Sequence, residues 1–184
     1  ADNVIIDKSG RLGARKGWTM QTTTGSNELG GNPIKFMLEH VNADDTLDIL
    51  SAGNNKIFTG GVGAVLTDVT PAAYTITSNN WSGANLNDTS ILVQEGQEPL
   101  IYSSTATPVV KKITTYTGTA QNFGTAYPNG VMGAWGRYWA FTKNAVYWST
   151  DIVDTAFPTF NAGSSGSLNI ASVLPDNTDD IISI

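Results

Sequence analysis

The sequence contains no cysteine and a single histidine, His40, in 184 residues. Without cysteine there are no disulfides, thiolate metal sites or cysteine nucleophiles. One histidine rules out metal centres built on histidine clusters, and any Ser-His-Asp arrangement would have to use His40. That residue sits inside an apolar run, Ile34 to Val41, and no serine lies in a Gly-x-Ser-x-Gly setting, so it reads as a structural histidine. Basic residues are scarce too: 10 Lys and Arg stand against 16 Asp and Glu, a net charge of −6. This balance argues against a tight, salt-dependent grip on nucleic acid, which relies on clustered cations. No apolar run approaches the roughly 20 residues of a membrane-spanning helix. The N-terminus lacks the apolar core of a signal peptide.

What is present favours a turn-rich β protein. There are 19 glycines and many Thr, Ser and Asn, with 40% apolar and only 14% charged residues, a composition that folds rather than stays disordered. A strand–turn–strand unit recurs: Asp44 to Gly60 (DDTLDILSAGNNKIFTG), Thr89 to Ser104 (TSILVQEGQEPLIYSS) and Tyr138 to Thr150 (YWAFTKNAVYWST). Taking Ile57, Ile101 and Tyr147 as equivalent gives steps of 44 and 46 residues. The acidic entry repeats as Asp45, Asp88 and Asp180. A period near 45 with four short strands per unit predicts an all-β chain of β-propeller-like blades. Residues 1–30 read as an N-terminal hairpin arm and linker, and residues 31–184 as a partial propeller of about three blades and the start of a fourth. An incomplete set leaves a ring open, and the chain starts at Ala1 rather than Met, so a piece of a longer chain is expected.

Within that frame Val4 to Ile6 pairs with a returning strand in Arg11 to Met20, and Ile34 to Val41 is a strand. Gly63 to Val69 and Pro71 to Ile76 are further short strands, Val109 to Thr115 an outer strand, and 176–184 the first strand of a fourth unit. The arm holds Lys8, Arg11, Arg15 and Lys16, which either blunt a solvated sheet edge or contact an acidic partner surface.

The carboxylate pairs Asp44/Asp45, Glu95/Glu98, Asp151/Asp154 and Asp179/Asp180 have the residue types of a glycosidase, but all fall at turns, where Asp caps its own backbone. Gly60-Gly61-Val62-Gly63 lacks the Gly-Lys-Ser/Thr of a phosphate cradle. Asn80-Trp81-Ser82 and Asn87-Asp88-Thr89 match the glycosylation pattern by chance. The aromatic group Trp135, Tyr138, Trp139, Phe141, Tyr147 and Trp148 reads mainly as cross-strand core, with Trp139 and Trp148 the two expected to be exposed for contact. Ser149-Thr150-Asp151, with Thr155 and Phe157, weakly resembles the Asp-box of sialidase propellers, without its glycine. No catalytic residue, cofactor or metal ligand is assigned, and no enzymatic activity is expected.

Three stretches, Asn3 to Gly17 (NVIIDKSGRLGARKG), Ile34 to Phe58 and Gly133 to Ser149, resemble the tail nozzle proteins (tail tubular protein B) of short-tailed, podovirus-type bacteriophages. The likeness covers about a third of the chain, and nozzle proteins are several times longer. The resemblance implies a structural virion protein in the phage tail: copies of itself in a hexameric ring, below the portal and adaptor and beside tail fibre proteins, around a channel through which genomic DNA passes without specific binding. Residues 41–184 carry 12 acids against 5 bases, and an acidic wall would repel a sliding polyanion. A glycan- or receptor-binding propeller is the alternative.

Overall fold

The computed structural model describes residues 4–6, 12–14, 32–61, 63–106, 109–114, 123, 126–151, 158–160, 163–170, 173 and 180–183. Among these the chain is all-β. A two-stranded hairpin comes first, β1 (Val4–Ile6) and β2 (Leu12–Ala14), with Ile5 opposite Gly13. Three four-stranded antiparallel sheets follow. The first holds β3 (Ile34–Val41), β4 (Leu47–Gly53), β5 (Lys56–Gly61) and β6 (Thr67–Asp68). The second holds β7 (Trp81–Leu86), β8 (Thr89–Gln94), β9 (Leu100–Tyr102) and β10 (Val110–Lys112). The third holds β11 (Gly130–Ala134), β12 (Arg137–Phe141), β13 (Ala145–Trp148) and β14 (Gly166–Asn169). In each, every strand pairs with the next along the chain.

Turn chemistry sets the registers. Three two-residue hairpin loops have both residues at positive φ: Asn54-Asn55 (49° and 56°), Asn87-Asp88 (48° and 59°) and Trp135-Gly136 (52° and 71°). That is the type I′ conformation, whose twist matches the flanking strands and favours Asn, Asp and Gly. The repeating acids Asp45 and Asp88 both follow a first strand and both sit at positive φ. Asp180 breaks the series: it pairs with Lys143 at 3.0 Å.

Alternation along the strands gives each sheet two faces, and the second sheet is covered on both. Toward the first sheet, Leu92, Leu100, Tyr102 and Val110 pack with Leu50, Ala52 and Ile57, joined by Phe36 and Leu38. Toward the third, Ile91, Val93 and Ile101 pack with Val131, Tyr138, Ala140 and Tyr147. Each large aliphatic side chain buried this way contributes about 1.5–3 kcal/mol. The first strands lie side by side, β3 against β7 and β7 against β11. Gly83 permits the closest approach, since a Cβ there would meet the Phe36 ring at 2.5 Å. The Ser82 hydroxyl ties β7 to β11 by bonding both the carbonyl and the amide of Val131 at 3.1 Å.

Each later sheet also sends a buried tyrosine hydroxyl into the sheet before it. Tyr102 donates to Asp48 Oδ2 at 2.5 Å, and Tyr138 donates to the Thr89 carbonyl at 2.6 Å. Burial pushes both hydroxyls well above the ordinary tyrosine value, so they remain protonated donors.

Several sequence expectations are corrected. Gly63 turns at φ 80°, which leaves Thr67–Asp68 as the strand rather than Gly63 to Val69. Pro71 to Ile76 forms no strand. The stretch that includes it bonds to side chains instead of a ladder: Gln94 Oε1 accepts from the Thr77 and Ser78 amides at 2.6 and 2.9 Å. Its Nε2 donates to the Thr75 carbonyl at 3.0 Å, and Asn55 Oδ1 accepts from the Ile76 amide at 3.0 Å. The outer strand expected over Val109 to Thr115 is only Val110–Lys112. Ile113 and Thr114 turn helical, and Glu98 takes both the amide and the hydroxyl of Thr114. Residues 180–183 form no strand; Ile181 donates its amide to the Lys143 carbonyl at 2.8 Å.

Candidate interaction surface

His40 comes first because the fold brings a serine and a carboxylate to it. Its Nδ1 lies 2.8 Å from Ser90 Oγ and 2.8 Å from Asn85 Nδ2. An amide nitrogen can only donate, so Nδ1 accepts and the ring proton sits on Nε2. Nε2 faces Asp88 Oδ1 at 3.7 Å and has no hydrogen-bond partner. The Tyr102 ring meets the imidazole edge-on at 4.6 Å.

Ser90, His40 and Asp88 thus have the residue types of a hydrolytic triad, but both Ser90 and His40 are fully buried. A nucleophile must be exposed to its substrate, and this hydroxyl is sealed between two sheets. Burial holds the imidazole below its ordinary value of 6.5, while Asp88 and Asp48 pull the other way. The imidazole is therefore neutral, and the cluster is a polar bolt joining the first two sheets. Asp88 strengthens it by accepting the Ala43 amide at 3.1 Å.

Of the carboxylates read as turn residues, Asp44 caps its own turn, whereas Glu98, Asp151 and Asp180 take partners more distant in the chain. Asp44 Oδ1 takes the amide and hydroxyl of Thr46 at 3.1 and 2.6 Å, bonds that lower its pKa. Asp151 binds Arg137 Nε at 2.7 Å, and that guanidinium also donates to the carbonyls of Ser149 and Ser164 at 3.0 and 2.6 Å. Asp154 and Asp179 lie outside the described residues, as do Lys8, Arg11, Arg15 and Lys16. A cleft of about 890 Å³ opens between the β8–β9 and β12–β13 turns, lined by Glu95, Tyr127, Lys143 and Asn144 among others. Lys143 is turned to Asp180.

The outer face of the third sheet, the one turned away from the second, collects the exposed aromatics. Tyr138 and Tyr147 point into the core, so by alternation Arg137, Trp139 and Phe141 on β12 and Val146 and Trp148 on β13 share the outer face. One cross-strand row reads Met132, Trp139, Trp148, Gly166; the next reads Gly130, Phe141, Val146, Leu168. The glycines are what let the rings lie flat. A Cβ on Gly130 would fall 2.3 Å from the Phe141 ring, and one on Gly166 would fall 2.4 Å from the Trp148 ring. Trp139 and Trp148 sit 5.9 Å apart, and Trp135 meets Trp139 edge-on at 5.9 Å.

Trp139 and Trp148 are thus both on this outer face and both half-buried. Among the described residues the most exposed aromatic is Trp135, 83% accessible at the β11–β12 turn. Gly136 beside it was the signal for that turn, but tryptophan is a poor fit to the left-handed backbone there. Trp139 Nε1 is engaged by the Ala134 carbonyl at 3.1 Å. This surface is largely apolar, and two polar groups at its edge, Arg137 and Trp139 Nε1, have partners within the chain. No family model, no curated protein and no solved structure matches the chain.

Proposed function

We propose that this chain is a structural subunit of a short-tailed bacteriophage tail, a nozzle-type protein whose sheets are successive blades of a propeller-like body. The observation that carries the reading is the succession of three four-stranded meanders whose first strands lie side by side. That is the placement blades adopt around a central axis. The three stretches of resemblance to nozzle proteins fall in the β1–β2 hairpin, in the first sheet and in the third, and the net charge of −6 suits a conduit that DNA traverses without sticking. In this reading the subunit has no enzymatic role. It stands in a ring of its own copies, probed best in purified virions by mass spectrometry and electron microscopy. Finding the chain in particles, within a six-fold tail ring, supports the proposal; its absence from them overturns it.

Trp135 favours a second reading, a glycan-binding module, because an accessible indole stacks on the apolar face of a sugar. A saccharide titration that quenches tryptophan fluorescence in the wild type but not in Trp135→Ala would select it.

A further inference from the structure

The two ring nitrogens of His40 are unequally served. An amide donor and a hydroxyl converge on Nδ1: the Asn85 carboxamide on β7 and Ser90 Oγ on β8, each at 2.8 Å. Nε2 carries the ring proton, is sealed from solvent, and faces Asp88 Oδ1 across 3.7 Å, too far for a hydrogen bond. Two carboxylates face the ring, Asp48 on β4 and Asp88 in the β7–β8 turn. Tyr102 on β9 lies edge-on against it, with its hydroxyl turned to Asp48. Asp48 Oδ2 is already taken by that hydroxyl and by Asn42 Nδ2 at 3.0 Å. Asp88 Oδ1 takes the Ala43 amide at 3.1 Å, and its side chain is 23% exposed.

A second ring proton has to enter at Nδ1, and there it meets the amide hydrogens of Asn85, donor against donor. The Ser90 hydroxyl accommodates it by rotating, because a hydroxyl both donates and accepts. Asn85 has to present Oδ1 in place of Nδ2, a half-turn of the carboxamide that exchanges two atoms of nearly equal size. On the other side of the ring the new charge faces Asp88. A charge-assisted bond there would close the gap to about 2.7–2.9 Å.

We propose that this cluster is a proton-operated latch between the first two sheets: proton uptake at Nδ1 turns the Asn85 carboxamide over and brings Nε2 into a bond with Asp88. In the neutral form His40 holds the second sheet through β7 and β8. In the protonated form it also grips the β7–β8 turn, where Asp88 already holds Ala43 of the β3–β4 turn. Acid therefore shifts the grip toward the hairpin ends while the sheets stay docked. The latch lies within one chain and does not depend on the tail reading above.

NMR on the isotope-labelled wild-type chain, titrated from about pH 8 to about pH 4.5, tests it. At the alkaline end the imidazole should carry its proton on Nε2. As Nδ1 takes up a proton, the side-chain amide signals of Asn85 should move with the same midpoint. The Trp81 indole, stacked on Phe36 at 5.5 Å across the same interface, should hold its position. Asp88→Asn keeps a residue suited to the type I′ turn and an oxygen for the Ala43 amide. It should retain the wild-type urea midpoint near neutral pH, yet bind the His40 proton about tenfold more weakly. An imidazole protonated on Nδ1 at the alkaline end, Asn85 signals that stay still, or a Trp81 signal that moves with His40 would each overturn the proposal. So would an Asp88→Asn chain that binds the proton as tightly as the wild type, or a His40 that stays neutral until the chain unfolds. The wild-type titration decides whether or not the variant folds.

Discussion

Gly166→Ala isolates what a glycine does on the outer face of the third sheet. Gly166 is absent from the positive-φ positions, so its backbone suits any residue. On conformational grounds alone, alanine there would stabilise the protein by about 0.5–1 kcal/mol. The obstacle is the ring above it, since a Cβ would lie 2.4 Å from Trp148 Cζ2 and 2.7 Å from Cε2. Normal contact needs about a further 1 Å, and overpacking of this kind typically costs about 1–3 kcal/mol. The indole can escape only by swinging toward solvent. A tryptophan buries about 150–250 Å², and losing half of that at about 25 cal/mol per Å² is a penalty of roughly 2–3 kcal/mol. Steric cost therefore exceeds backbone gain, and Gly166→Ala should destabilise by about 1–2 kcal/mol. The assay is a double-mutant cycle with Trp148→Ala, read by urea denaturation at a protein concentration that keeps the chain monomeric. Without the indole the added methyl group has room, so the substitution should become neutral or slightly stabilising and the coupling should reach about 2 kcal/mol. If Gly166→Ala is neutral beside Trp148, or the two changes add, the ring does not lie on this glycine and the flat outer face is wrong.

Two further outcomes follow from other sites. Burial keeps the folded-state pKa of His40 below its ordinary 6.5, so the unfolded chain binds the proton more readily. The stability linked to this group should be complete above pH 6.5 and decline as the pH falls below it, levelling once the folded form also titrates. Urea midpoints taken from about pH 7.5 down to about pH 5, before most carboxylates titrate, should show this decline in the wild type and lose it in His40→Gln; stability that rises on acidification over this span would refute the sealed, neutral imidazole. Trp135→Asn places a residue suited to φ 52° in a type I′ turn, at the loss of one edge-on ring contact. It should stabilise by about 0.5–1 kcal/mol, a rise of about 1–4 °C in Tm, and a lower Tm would mean that the indole packs more than its exposure indicates.

The three central hairpins were legible because each is a local event: an apolar alternation stopped by Gly-Asn-Asn, by Gly-Gln-Glu or by Lys-Asn, with the energetics of turn and strand acting within a dozen residues. Where the sequence misled, the competing interaction came from far away. Nothing in Pro71 to Ile76 announces that its backbone will be met by the side chain of Gln94, and β10 ends early because Glu98 captures Thr114. The same distance hid the bolt at His40. Asn85 and Ser90 lie 45 and 50 residues away, so a local reading saw a histidine in an apolar run and could not see what its Nδ1 bonds. The aromatic group shows a different limit. Its period of two was there to read, and it separates Tyr138 and Tyr147 from Trp139 and Trp148. What a single strand pattern cannot state is which of its two faces another sheet will cover, because that depends on the order in which the sheets stack. The second sheet is apolar on both faces and is covered on both. The first and third are each covered by the second sheet on one face, and the other face of the first mixes Met37, Val41 and Phe58 with Glu39, Ser51 and Asp68. Alternation therefore marks Trp139 and Trp148 as sharing a face, without saying that theirs is the face no other sheet covers.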